Sequence, residues 1–193
     1  MKTSYSELPQ GYKEIFSVNL QKDKKRALWI NISALAIAAL MVIPAAICIP
    51  LSTLFDLSED LILHFIKLAA LAVGSIAYII LHELVHGITM KLFGTKKIKY
   101  GFTGLYAFAG SDDYYAKLPY TVIALAPVIF WGLVLLVLNF IVPQDWFWVV
   151  YIIQISNISG AAGDLYVTAK FSKMPSDILV KDSGVGMTVY SAK

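Results

Sequence analysis

Ile66 to Phe93 reads IKLAALAVGSIAYIILHELVHGITMKLF. Its first two thirds are apolar enough and long enough to cross a bilayer, which takes about 20 mostly apolar residues in a helix. Its last third carries His82, Glu83 and His86, three groups that are expensive in lipid unless they are buried or paired. The stretch therefore reads as a membrane span with a functional site near one end. Three further stretches reach spanning length: Ala27 to Ile49, Leu118 to Val142, and Trp146 to Phe171. The sequence predicts an all-α membrane protein with four transmembrane helices and a small cytoplasmic β-hairpin after the second. Residues 1–26 read as a cytoplasmic N-terminal tail, 27–171 as the membrane domain, and 172–193 as a cytoplasmic C-terminal tail.

Composition agrees. Of 193 residues, 58% are hydrophobic and 15% charged, against about 25% charged in a soluble domain. So few charges do not cover a water-facing surface, and so apolar a chain is not intrinsically disordered. The single cysteine, Cys48, has no intrachain partner, which excludes a disulfide-stapled fold. The polar first 26 residues hold the first apolar run too far from Met1 for a signal peptide, so that run is expected to stay in the protein.

Lysine and arginine placement predicts the orientation. Lys2, Lys13, Lys22, Lys24, Lys25 and Arg26 precede the first apolar stretch; Lys91, Lys96, Lys97, Lys99 and Lys117 follow the second; Lys170, Lys173, Lys181 and Lys193 follow the fourth. The connection after the first stretch carries Asp56, Glu59 and Asp60, and only Lys67 falls on that side, where it can snorkel. Both termini are thus expected in the cytoplasm, in a multi-pass protein of the cell membrane. Trp29, Trp146 and Trp148 stand where interfacial anchors belong. No continuous basic face with a recognition motif is present, so nucleic acid is not an expected partner.

Two connections have β character. In Lys97 to Gly110, KIKYGFTGLYAFAG, Ile98, Tyr100 and Phe102 alternate with polar or small residues. Thr103-Gly104 then turns the chain into a second run, Leu105 to Ala109. The C-terminal residues Ile178 to Val180 and Met187 to Tyr190 are strand-like around a Ser183-Gly184 turn. The second span is long if it starts at Ser58, and Gly74-Ser75 is a candidate kink that would accommodate it.

His82-Glu83-Leu84-Val85-His86 is the H-E-x-x-H pattern. Residues i and i+4 share a helix face one turn apart, so both imidazoles can reach one metal ion. Glu83 is turned about 100° away and can flank the ion without ligating it, where a general base for water belongs. A catalytic zinc takes three protein ligands. His64 lies roughly 27 Å along the helix from His82 and is too far to be the third. The expected third ligand is Asp164, which stands seven residues from the end of its span, as His86 does from the end of the second. Asp112 and Asp113 are the alternatives. Asn157 either binds substrate or makes an interhelical hydrogen bond. Gly160, Ala161, Ala162 and Gly163 are small enough to let helices approach closely.

The HELVHG helix, the Tyr-Gly-Phe strand, the ALAP segment and the late Gly-Asp resemble the family known as putative zincin peptidases. More distantly, they are similar to the site-2 class of intramembrane metalloproteases, although Leu165 follows Asp164 where that class has Gly, and no Asn-Pro is present. The resemblance implies that His82, His86 and Asp164 ligate zinc and that Glu83 is the base. It also implies that the hairpin, with Tyr100 and Phe102, binds extended substrate. The expected function is hydrolysis of peptide bonds in membrane proteins or peptides near the cytoplasmic face. The alternative is a non-catalytic metal-binding membrane adaptor or immunity-type protein. The oligomeric state is left open.

Overall fold

The computed structural model describes residues 3–55, 61–104 and 106–193. Asp56, Glu59 and Asp60, the proposed helix start at Ser58, and Leu105 as the first residue of the second hairpin strand lie outside the described residues. The helices are α1 (Lys24–Cys48), α2 (Leu61–Leu92), α3 (Lys117–Ile141), α4 (Phe147–Gly160) and α5 (Ala162–Ser172). The strands are β1 (Ser4–Tyr5), β2 (Lys13–Val18), β3 (Lys99–Phe102), β4 (Ala107–Gly110), β5 (Tyr114–Ala116), β6 (Leu179–Asp182) and β7 (Met187–Ser191).

This overturns the all-α expectation. Five strands form an antiparallel sheet in the order β1-β5-β6-β7-β2, and β3 and β4 form a second, two-stranded sheet. The N-terminal residues expected as a tail supply β1 and β2, and the C-terminal ones supply β6 and β7. The expectation of four spans fails as well. Among the described residues, three helices are long and apolar enough to cross a membrane: Lys24–Cys48, Leu61–Leu92 and Lys117–Ile141. The stretch from Trp146 to Phe171 is not one helix. It breaks at Ala161, whose ψ of 16° leaves the helical range. The resulting α4 has 14 residues, about 21 Å of helix against a hydrocarbon core of about 30 Å.

The chain divides into two compact units. The first comprises residues 1–30, 81–127 and 163–193. Its core gathers Met90, Tyr115, Tyr120, Ile123, Val167, Phe171, Ile178, Val180 and Val189. Period-two alternation turns Met187, Val189 and Ser191 of β7 inward, while Thr188 and Tyr190 stay half-buried. The second unit comprises residues 31–80 and 128–162. It packs around Leu54, Trp148 and Val149, and around Tyr78, Leu135 and Ile153. Helix α2 is continuous through Gly74-Ser75. Gly74 serves close packing there, since a Cβ would stand 2.9 Å from Ile153 Cδ1. Helix α1 buries none of its residues, and Leu35, Leu40 and Ile47 are all more than two thirds exposed.

Candidate metal centre

The site lies within the first unit. His82 and His86 occupy consecutive turns of α2, with ring centroids 5.0 Å apart, and both are buried. Asp164 stands in the first turn of α5. Its Oδ2 lies 3.7 Å from His82 Nε2 and 3.7 Å from His86 Nε2. One ligand atom from each residue falls within 4.8 Å of the other two. A tetrahedral zinc with bonds of about 2.0–2.2 Å spaces its ligand atoms by roughly 3.4 Å. Two imidazole nitrogens and one carboxylate oxygen therefore fit zinc in chemistry, and their spacing is close to what the ion requires.

The surroundings orient these groups. His86 Nδ1 lies 2.9 Å from the Ile123 carbonyl of α3. A carbonyl only accepts, so Nδ1 carries a proton, and Nε2 is the nitrogen that faces Asp164 and can ligate a metal ion when it carries none. Glu83 couples electrostatically to His86, His82 and Asp164, and its carboxylate accepts a hydrogen bond from the Ala109 backbone.

Strand pairing explains why Ala109 is available. The turn bond from Thr103 N–H to the Tyr106 carbonyl, 3.0 Å, starts the antiparallel alternation. Gly101–Phe108 and Lys99–Gly110 are then the hydrogen-bonded pairs, and Tyr100–Ala109 and Phe102–Ala107 are not. The backbone groups of Ala107 and Ala109 thus point away from β3. On the opposite strand the Tyr100 hydroxyl rests on Gly87, where a Cβ would overlap it. Tyr100 and Phe102 are both exposed.

A second polar cluster ties this hairpin to the sheet. Asp182 Oδ2 accepts from the Tyr120 hydroxyl at 2.5 Å, and its Oδ1 accepts from Gly184 N–H at 2.8 Å. The Asp182 carbonyl accepts from Ser111 N–H at 2.7 Å. Burial pushes the Asp182 carboxyl above its ordinary value, against the lowering effect of the Tyr120 hydrogen bond. Ser111 Oγ continues through the Tyr115 hydroxyl to Thr95. Sequence reading missed Ile123, Tyr120 and Asp182, and it placed Ala109 in the hairpin without its contact to Glu83. Only Asp182 left a signal, as the Asp that opens an Asp-Ser-Gly turn.

The structure brings His82, His86, Asp164 and Glu83 together. It keeps the alternative ligands apart from that cluster. Asp112 pairs at 2.6 Å with Lys99, which holds its carboxyl below the usual range, and Asp113 caps Ser111 Oγ through its own N–H. His64 and Asn157 belong to the second unit. There the fully buried Asn157 accepts from the Tyr78 hydroxyl at 3.0 Å and donates to the Val128 carbonyl at 3.1 Å.

Comparison with known proteins agrees with the geometry. The chain is 35% identical over 140 residues to the "Uncharacterized 24.7 kDa protein in gap 5'region" of Pyrococcus woesei, an alignment covering 67% of this chain. The chain spans 56% of that relative's length. No solved structure matches. Residues 75–179, more than half of the chain, match the family described as "Putative zincin peptidase", and the chain belongs to that family.

Proposed function

We propose that this protein is a membrane-embedded zinc metallopeptidase that cleaves membrane-associated proteins or peptides near the cytoplasmic face. The observation that carries this reading is the approach of Asp164 Oδ2 to both imidazole Nε2 atoms, 3.7 Å each, with Glu83 on the same helix. His82, His86 and Asp164 would hold the ion. When bound, zinc supplies Lewis acidity toward a carbonyl and a water molecule. Glu83 takes the proton of the attacking water and passes it to the leaving amine nitrogen as the C–N bond breaks. The outward edge of β4 receives the unwound substrate by strand addition, because a peptide bond inside a helix is shielded and its carbonyl is already engaged.

Three helices of spanning length support the membrane setting. So does α1, which is apolar and buries none of its residues. Lys24, Lys25 and Arg26 at the start of α1, Lys91 at the end of α2 and Lys117 at the start of α3 favour the cytoplasm for those ends. The test is zinc content and cleavage of reporter membrane peptides by purified wild type beside Glu83→Gln. Retained zinc with lost cleavage supports the reading. Unchanged cleavage in zinc-loaded Glu83→Gln overturns it.

A further inference from the structure

The family match ends at residue 179, and the turn between β6 and β7 lies beyond it. That turn grips β4 at three points. Ser111 N–H, the next outward-facing donor after Ala109, is taken by the Asp182 carbonyl at 2.7 Å. Gly110 is pressed so closely on Ser183 and Gly184 that a Cβ there would overlap their backbone. The Phe108 ring lies across Gly184, whose φ of +86° and missing side chain make room for it. The same ring covers Gly101, where a Cβ would stand 2.5 Å from it. At its other end, β4 follows the turn in which Thr103 and Tyr106 bond to each other across the hairpin. Among the described residues of this edge, Ala107 and Ala109 turn backbone groups outward, and the Ala109 N–H is held by the Glu83 carboxylate.

We infer that the C-terminal hairpin β6–β7 determines specificity by closing the β4 edge at Ser111. The site then grips an extended segment of about three residues on one side of the scissile bond. This inference rests on the zinc peptidase reading. Residues opposite Ala107 through Ala109 span this stretch of edge, in which the Ala109 N–H is already held by the Glu83 carboxylate and its carbonyl is left for the substrate. A fourth residue on that side meets the turn, and a residue across the scissile bond meets Ser111, whose N–H is already bonded. The substrate this favours is a short unwound end of a helix, not a long β-strand.

The test uses the full-length, zinc-loaded protein in detergent, with acetohydroxamate and peptide hydroxamates of one to five residues as probes. Affinity is expected to rise through three residues, by roughly fivefold to tenfold for each residue hydrogen-bonded to the edge, and then to level off. Gly184→Ala, which drives a methyl group into Phe108, is expected to weaken the three-residue probe about tenfold and leave acetohydroxamate unchanged. Affinity that keeps rising to five residues, or never rises beyond one, overturns the inference and leaves the zinc reading standing. Failure of zinc to bind, or of every hydroxamate to bind zinc-loaded protein, overturns the zinc reading and this inference with it.

Discussion

The Tyr100 hydroxyl sits on the Cα of Gly87, in the space that any other residue's Cβ would fill. Gly87 follows the second histidine directly and lies one turn from Glu83 on the same helix stripe, so a missing side chain on α2 seats the first strand of the hairpin. Tyr100 is half-exposed and couples electrostatically to Glu83. One glycine thus fixes the distance between the base and the strand pair.

Gly87→Ala tests that relationship. Alanine is the better helix former by about 1 kcal/mol, so the helix and its two histidines are expected to persist. The methyl group displaces Tyr100 and moves the hairpin. A shift of about 1 Å in a positioning element can cost 100-fold in rate, so cleavage of a reporter peptide is expected to fall by about 10-fold to 100-fold with zinc retained. Full activity in Gly87→Ala would show that the hairpin is free to move without consequence.

Removal of a metal ligand separates Asp164 from its sequence-level rivals. Loss of a group that only orients a ligand costs about 10-fold to 100-fold in metal affinity, and loss of a ligand itself is expected to cost more. Elemental analysis of Asp164→Ala and His86→Ala should therefore find little zinc. Asp112→Asn should keep the wild-type amount, because its carboxylate is spent on the exposed Lys99 at 2.6 Å. Zinc lost with Asp112→Asn and kept with Asp164→Ala would reverse the assignment.

Local signals made the histidine pair legible, since i and i+4 on an apolar helix depend on helix geometry alone. Asp164 was legible from its depth. The sheet was not. Its longest outer strand, β2, pairs Lys13 with Ser191 and Val18 with Met187, partners nearly a chain length away. Within β2 only Phe16 and Val18 pack against the core, too few for a clear alternation. β5 is three residues between Asp113 and Lys117. The small residues 160–163 invited a reading of close helix contact. A Cβ at Gly160 or Gly163 would meet nothing within 4 Å, so these glycines mark the break between α4 and α5. That break puts Asp164 in a first helical turn instead of mid-helix, which composition alone does not reveal.

Tyr120→Phe isolates the link between α3 and the C-terminal hairpin. The hydroxyl donates to Asp182 Oδ2, and Ile123, one turn further along α3, holds His86 through its carbonyl. Phenylalanine keeps the ring in the core beside Tyr115 and Phe171 and leaves a buried carboxylate oxygen without its donor. An orphaned buried acceptor costs about 1–3 kcal/mol. Thermal unfolding in detergent should show that loss, with zinc content unchanged. An unchanged melting temperature would mean that Asp182 gains another donor.

Asp182 also sets a pH dependence. Burial raises its pKa above the ordinary value, while the Tyr120 hydroxyl, Gly184 N–H and His86 lower it and Asp164 raises it. A raised folded-state pKa means that the folded protein holds this proton more tightly than the unfolded chain. The resulting stability is fully present below the ordinary aspartate value of 3.8. It is lost as pH rises from there through the raised folded value. Asp182→Asn cannot titrate and lacks this contribution at every pH. Melting curves of wild type and Asp182→Asn across the acidic range should therefore show wild type losing stability relative to the variant as pH increases. A stability difference that stays constant with pH, or grows in favour of wild type, would show that burial does not raise the Asp182 pKa.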